Sequence, residues 1–396
     1  MFSNRLPPHS EINPLSRAVA SLRVAGIPIV DLTESNPTTV GVAYPDDLFD
    51  VLSADHVGRY TPQPLGLGMA REAIAADYAR RGSRVDPAQV VLSASSSEAY
   101  SWLFKLLCNP GESVLVPQPS YPLFEHLTRL ESVQATPYHL RYHGRWEIDF
   151  ESVLEAPANV RALLLVSPNN PTGSYVTREE AHRLAEICRS RGWAIVADEV
   201  FADYPLDVDA ALTESVLNLD VLSFTLGGAS KSLGLPQIKL GWMVIGGRHD
   251  ERARALAALE IIADTFLSVG TSVQGATPAL LARGAAVRDQ IRQRAAGNLA
   301  RARDLARERP ACTLLPVEGG WSLVARVPAF RSEEALALEL LERERVLVHP
   351  GYFFDFPHEA FIVVSLIPPP DQFADAFARA LRFAATPASS TGEHRG

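Results

Sequence analysis

The chain has 396 residues, with 46 Asp and Glu against 37 Lys and Arg, a formal net charge of −9. Hydrophobic residues make up 47%, enough for a normal core, and at roughly 100–200 residues per domain the length suits two domains. An acidic chain without a basic run argues against nucleic acid and against an anionic membrane surface, and no apolar stretch is long enough to span a bilayer.

The N-terminal MFSNRLPPHSEINP is polar and proline-rich, without the apolar region of a secretory signal. Cys108, Cys188 and Cys312 are widely spaced and read as reduced thiols, so the expected setting is cytoplasmic. Further along, short apolar runs predict buried strands at QVVLS from Gln89, ESVLVP from Glu112, RALLLVS from Arg161, WAIVAD from Trp193, DVLSFTL from Asp220 and GWMVIG from Gly241. Amphipathic stretches over 98–107, 178–191 and 251–267 predict helices between them, and Thr177 with Glu180 spells a capping box. Alternation of this kind predicts an α/β domain with a mostly parallel central sheet sandwiched by helices. Past about residue 275 the pattern changes to a long Arg- and Ala-rich helix over 285–309. Strand-like runs follow: WSLVARVP from Trp321, RVLVHP from Arg345 and AFIVVSL from Ala360. The expected organisation is a large domain over 45–285 and a smaller α+β domain made from 1–44 and 286–396. The polar tail from Thr386 reads as frayed.

Parallel sheets bind ligands beyond the carboxyl ends of their strands, and four segments there carry unusual residues. Ser95-Ser96-Ser97-Glu98 offers hydroxyls and free N–H groups at a helix start, which suits a phosphate or a plain N-cap. Ser167-Pro168-Asn169-Asn170-Pro171-Thr172-Gly173 fixes a turn that either simply joins strand to helix or points the Asn170 carboxamide into a crevice. Asp198, ending an apolar strand, needs a cap, an ion pair or a cationic partner such as a protonated pyridine nitrogen. Lys231 sits in Gly227-Gly228-Ala229-Ser230-Lys231-Ser232, either as a solvated loop lysine or as a Schiff-base former. The chain has only three lysines, Lys105, Lys231 and Lys239.

With Asn36-Pro37, Tyr60-Thr61-Pro62, Asn109-Pro110-Gly111-Glu112, Pro119-Ser120-Tyr121-Pro122 and Pro350-Gly351 with Phe354, these segments resemble the class I/II aminotransferases. These are aspartate-aminotransferase-like, pyridoxal-phosphate (PLP) enzymes of fold type I. The resemblance runs from about Asn36 to Ser365 and includes the spacing: 28 residues from Asn170 to Asp198 and 33 from there to Lys231. It implies that Lys231 forms the internal aldimine and shuttles protons, that Asp198 pairs with the pyridine N–H, and that Asn170 hydrogen-bonds the ring oxygen. Tyr121 would stack on the ring, and Ser96, Ser97, Ser230 and Lys239 would hold the phosphate. Tyr60 would reach the phosphate of a neighbouring subunit, implying a homodimer with shared active sites. The implied reaction moves an amino group from a small amine or amino-acid donor to a keto acceptor.

Three positions depart from the family pattern. Phe201 stands where a tyrosine usually meets the ring oxygen, with Tyr204 as a nearby substitute. Lys239 replaces an arginine and loses its bidentate fork. Val363 stands where an arginine usually binds the substrate carboxylate, so either another arginine enters the site from a different segment or the preferred amine does not present its carboxylate in the usual way, with Asn170 and the backbone near Ser35 still able to offer hydrogen bonds. A PLP-dependent lyase, decarboxylase or synthase on the same fold is the alternative. A PLP-binding regulator would need a DNA-binding domain, for which the stretch before the first motif is short. A doubly wound oxidoreductase lacks any G-x-G-x-x-G after a strand. His139 and His143 have no third ligand nearby and read as surface residues rather than a metal site.

Overall fold

An N-terminal helix, Pro14–Val24, begins where the Asn13 side chain accepts from the Ser16 N–H, and leads into a short strand β1 (Val30–Asp31). The computed structural model describes residues 2–7, 12–53, 58–207 and 215–387, and the polar tail past Pro387 lies outside them.

The large sheet is built from β2 (Val90–Ser93), β3 (Ser113–Gln118), β4 (Gln134–Tyr142), β5 (Trp146–Ile148), β6 (Val160–Val166), β7 (Ala194–Asp198), β8 (Ser223–Gly228) and β9 (Gly241–Gly246). Its order is β2-β9-β8-β7-β6-β3-β4-β5. Strands β8, β7, β6, β3 and β4 run parallel. Strand β9 is antiparallel to both β2 and β8, so β2 points the same way as the parallel set. Strands β8 and β9 are wholly buried, and in β6 only Arg161 is exposed, as coverage on both faces requires. The helices Ser96–Leu107 and His249–Phe266 pack with Val91, Val196 and Phe224 on one face, and Arg178–Arg191 packs with Leu163 and Ile195 on the other. The Thr177–Glu180 capping box forms at the start of the latter helix.

One expectation is corrected. The strand expected from Asp220 begins at Ser223 and runs on through Gly228, because β9 offers six rungs from Gly246 to Gly241. Strand β4, which holds an exposed His139, is not among the strands expected above, because Pro137 and partial exposure hide it from a pattern search.

A second, antiparallel sheet comprises β10 (Thr313–Leu314), β11 (Ser322–Arg326), β13 (His349–Pro350) and β14 (Phe361–Ser365), in the order β10-β11-β14-β13. The run from Arg345 splits: β12 (Val346–Leu347) pairs in parallel with β1, whereas β13 pairs with β14. Leu15 and Leu32 from the N-terminal arm share a core with Leu299, Leu323, Ile362 and Phe377. Among the described residues no single helix is long and apolar enough to cross a membrane.

Gly241 shows how closely the layers approach. A Cβ there would lie 2.8 Å from the Ser95 carbonyl carbon, a backbone atom that cannot swing aside. Gly241→Ala should therefore cost about 1–3 kcal/mol of stability and displace the serine turn. A denaturant midpoint equal to wild type would contradict that approach.

Candidate active site

The carboxyl ends of β2, β3, β6, β7 and β8 lie on one edge of the large sheet, and the small sheet stands opposite. Between them is a cavity of about 240 Å³ whose wall includes Ser96, Ser97, Tyr121, Asn170, Asp198, Lys231 and Ser35. Each arrives for a local reason. Ser95 caps the helix Ser96–Leu107 by accepting from the Glu98 N–H, which leaves the Ser96 and Ser97 N–H groups without intrahelical acceptors. Asp198 is the last residue of β7, level with Val166 on β6 and Leu226 on β8. Lys231 lies in the short turn Ala229–Ser232 directly after β8. Asn170 follows β6, and its Oδ1 accepts from the Ser322 hydroxyl at 3.0 Å.

The two ionisable groups are tuned by removal from bulk water. Burial pushes the Asp198 carboxyl up from 3.8 to about 6, opposed by the Val200 N–H at 3.2 Å, the Tyr100 hydroxyl at 3.1 Å and the charge of Lys231. Burial brings Lys231 down from 10.5 to about 8, with Asp198 opposing. Its Nζ lies 4.9 Å from the Trp321 ring centroid and 5.4 Å from that of Phe201. Those two rings meet edge to face at 5.3 Å. Labelling of Lys231 by an amine-selective reagent in cofactor-free protein should therefore show a midpoint near pH 8. A midpoint at the ordinary lysine value would contradict the burial.

Four expected residues fall elsewhere. Ser230 adjoins Lys231 but does not line the cavity, and Lys239 is exposed at a left-handed position with φ 56°. Tyr60 is 75% exposed and outside the cavity of its own chain. Tyr204 does not replace the hydroxyl absent at Phe201: it is fully buried and donates to the Lys231 backbone carbonyl at 2.5 Å.

The structure also brings in residues that the sequence did not single out. Tyr100 lies one turn after Ser96, so the i,i+4 spacing on a helix was its only signal. Ser322, His349 and Ser365 come from the small sheet, and Trp321 from the residue just before β11. Val363 is buried and lines the cavity, so this part of the wall is apolar. A cleft of about 580 Å³ near Arg81, Glu199 and Arg288 contains no lysine and lies apart from these groups.

Comparison with known proteins gives a consistent picture. Residues 32–372 match the family model for aminotransferase class I and II. Glutamate-pyruvate aminotransferase AlaA of Haemophilus influenzae is 26% identical over 381 residues, covering 93% of this chain and 94% of that protein. Alanine aminotransferase of Mycobacterium tuberculosis is 25% identical over 356 residues, covering 87% and 82%. An aminotransferase structure from Escherichia coli has a TM-score of 0.84 at 26% identity and covers 95% of each chain. Every strand end that builds the cavity lies inside the matched residues, and the chain belongs to the class I and II aminotransferase family.

Proposed function

We propose that the cavity binds pyridoxal phosphate on Lys231 and serves transfer of an amino group from an amino-acid donor to a keto acceptor. The observation that carries this reading is the pair on adjacent strand ends: an amine that burial brings to about 8 and a carboxylate raised to about 6, both facing one cavity.

The residues present fit the cofactor. Asp198 is a desolvated carboxylate with two neutral donors and suits a protonated pyridine nitrogen. The free N–H groups of Ser96 and Ser97 suit a phosphate at a helix N-terminus. In this reading Asn170 would meet the ring oxygen and Tyr121 would cover the ring. When bound, the cofactor supplies an aldehyde for the amino group and a ring that withdraws negative charge from the substrate Cα.

The chain's own residues do the rest. Tyr100 and the Val200 N–H fix one oxygen each of Asp198, which holds a proton at the pyridine nitrogen. Lys231 Nζ moves a proton to and from the substrate Cα, a task suited to an amine titrating near the working pH. Phe201 and Trp321 shield that amine from water. Ser322 orients Asn170, and Ser35 and Asn170 contact the substrate.

The alanine and glutamate-pyruvate names of the relatives support amino-acid donors with keto-acid acceptors. The exposed Tyr60 supports a homodimer in which it serves the partner's phosphate, and sedimentation at assay concentration should find a dimer. An active monomer would overturn that part. The separate core around Leu323 and Phe377 supports the division into 45–285 and 1–44 with 286–396. Three free cysteines fit a cytoplasmic setting.

Transfer is separated from elimination or decarboxylation by giving the loaded enzyme a donor and no acceptor. About one equivalent of keto acid per chain should appear, and the reaction should then stop. Continued turnover would favour a lyase or decarboxylase.

A further inference from the structure

Within the transfer reaction proposed above, His349 is the one titratable side chain among the described residues on the cavity wall without an assigned task. His349 pairs with Val363 across β13 and β14, so the two side chains emerge on the same face, and both line the cavity. The imidazole packs against Phe353 and Phe354, each with its ring centroid 5.6 Å away. Its Nδ1 is sealed from solvent and has no hydrogen-bond partner. With Nδ1 sealed, Nε2 is the nitrogen left to offer a ligand.

Among the described residues of this chain no arginine lines this cavity, and its one lysine, Lys231, is taken up by the cofactor in the proposed reaction. A substrate carboxylate therefore needs another donor. Val363 can provide none, whereas His349 stands directly beside it. Burial pushes the imidazole below its ordinary value while Asp31 opposes, so near neutral pH the ring offers one N–H donor. Ser35 and Ser365 line the same cavity and can meet the second oxygen. Leu123, Phe124 and Leu127 also line the cavity and make that part of its wall apolar.

We infer that His349 binds the carboxylate of the amino donor through an imidazole N–H, which makes the preferred donor an α-amino acid with an apolar side chain. The inference rests on the proposed transfer reaction for its substrate but not for its contact.

The test measures binding to the loaded enzyme by calorimetry, with 3-phenylpropanoate as the carboxylate probe and 3-phenylpropan-1-ol as its neutral counterpart. His349→Leu should weaken the carboxylate by about 10- to 100-fold, the loss expected for a hydrogen bond to a charged group, and the alcohol far less. His349→Gln, which keeps an N–H, should recover most of that loss. KM for L-phenylalanine should rise by the same factor with kcat little changed. Equal weakening of both probes would mean a structural role and overturn the inference. So would unchanged carboxylate binding, or a wild-type enzyme that does not prefer the carboxylate. If the carboxylate loss appears in an enzyme that transfers no amino group, the contact stands and the proposed reaction falls.

Discussion

Lys231→Ala should lower the rate of amino transfer by about four decades or more, because in the proposed reaction Lys231 is both the attachment point of the cofactor and the group that moves the proton. The fold should survive. Lys231 sits in a short turn with its amine against two aromatic rings and the cavity. Its folded value of about 8 lies below the unfolded 10.5, so the cofactor-free protein gains stability as pH rises through that window. Below the window the buried cation opposes folding, and the alanine variant removes that opposition. Near neutral pH the cofactor-free variant should melt no lower than the cofactor-free wild type. A variant that keeps substantial transfer activity would displace Lys231 from its role.

Asp198→Asn should leave the cofactor bound and cut kcat by about 100- to 1000-fold, with a smaller effect on KM. The carboxylate acts on charge that develops only as the substrate Cα–H bond breaks, so its loss is felt in the transition state. An amide in its place keeps one acceptor for the Val200 N–H, and its NH2 can donate to the Tyr100 hydroxyl oxygen, which keeps the local structure. The sign of the pH effect on stability is opposite to that of Lys231. Asp198 keeps its proton to about 6 when folded and to 3.8 when unfolded, so the cofactor-free protein loses stability as pH rises between these values. The asparagine variant should lack that slope. Near-normal kcat would make the carboxylate structural.

Sequence patterns located strands where burial on both faces leaves a continuous apolar run, as in β9, whose bounds match the reading from Gly241 exactly as read. They located Asn170, Asp198, Lys231 and the serine turn because strand ends concentrate chemistry at one edge of a parallel sheet. The structure brings those residues to one cavity. What sequence hides is the opposite wall. Ser322, His349 and Ser365 reach the cavity through pairing within the small sheet, and that register follows from tertiary contact rather than local pattern. Tyr100 reads as an ordinary core aromatic until its hydroxyl is seen to meet Asp198. Tyr204 fails as a substitute for the same kind of reason: three residues along the chain do not say which way a hydroxyl points.

The central claim is that Lys231 carries the cofactor, and the chain's three lysines make it directly testable. Lys105 is tied to Glu131 at 2.6 Å on the far end of its helix, and Lys239 is exposed outside the cavity. Borohydride reduction of the loaded enzyme followed by peptide mapping should place a pyridoxyl group on Lys231. A pyridoxyl group on Lys105 or Lys239 would contradict the account.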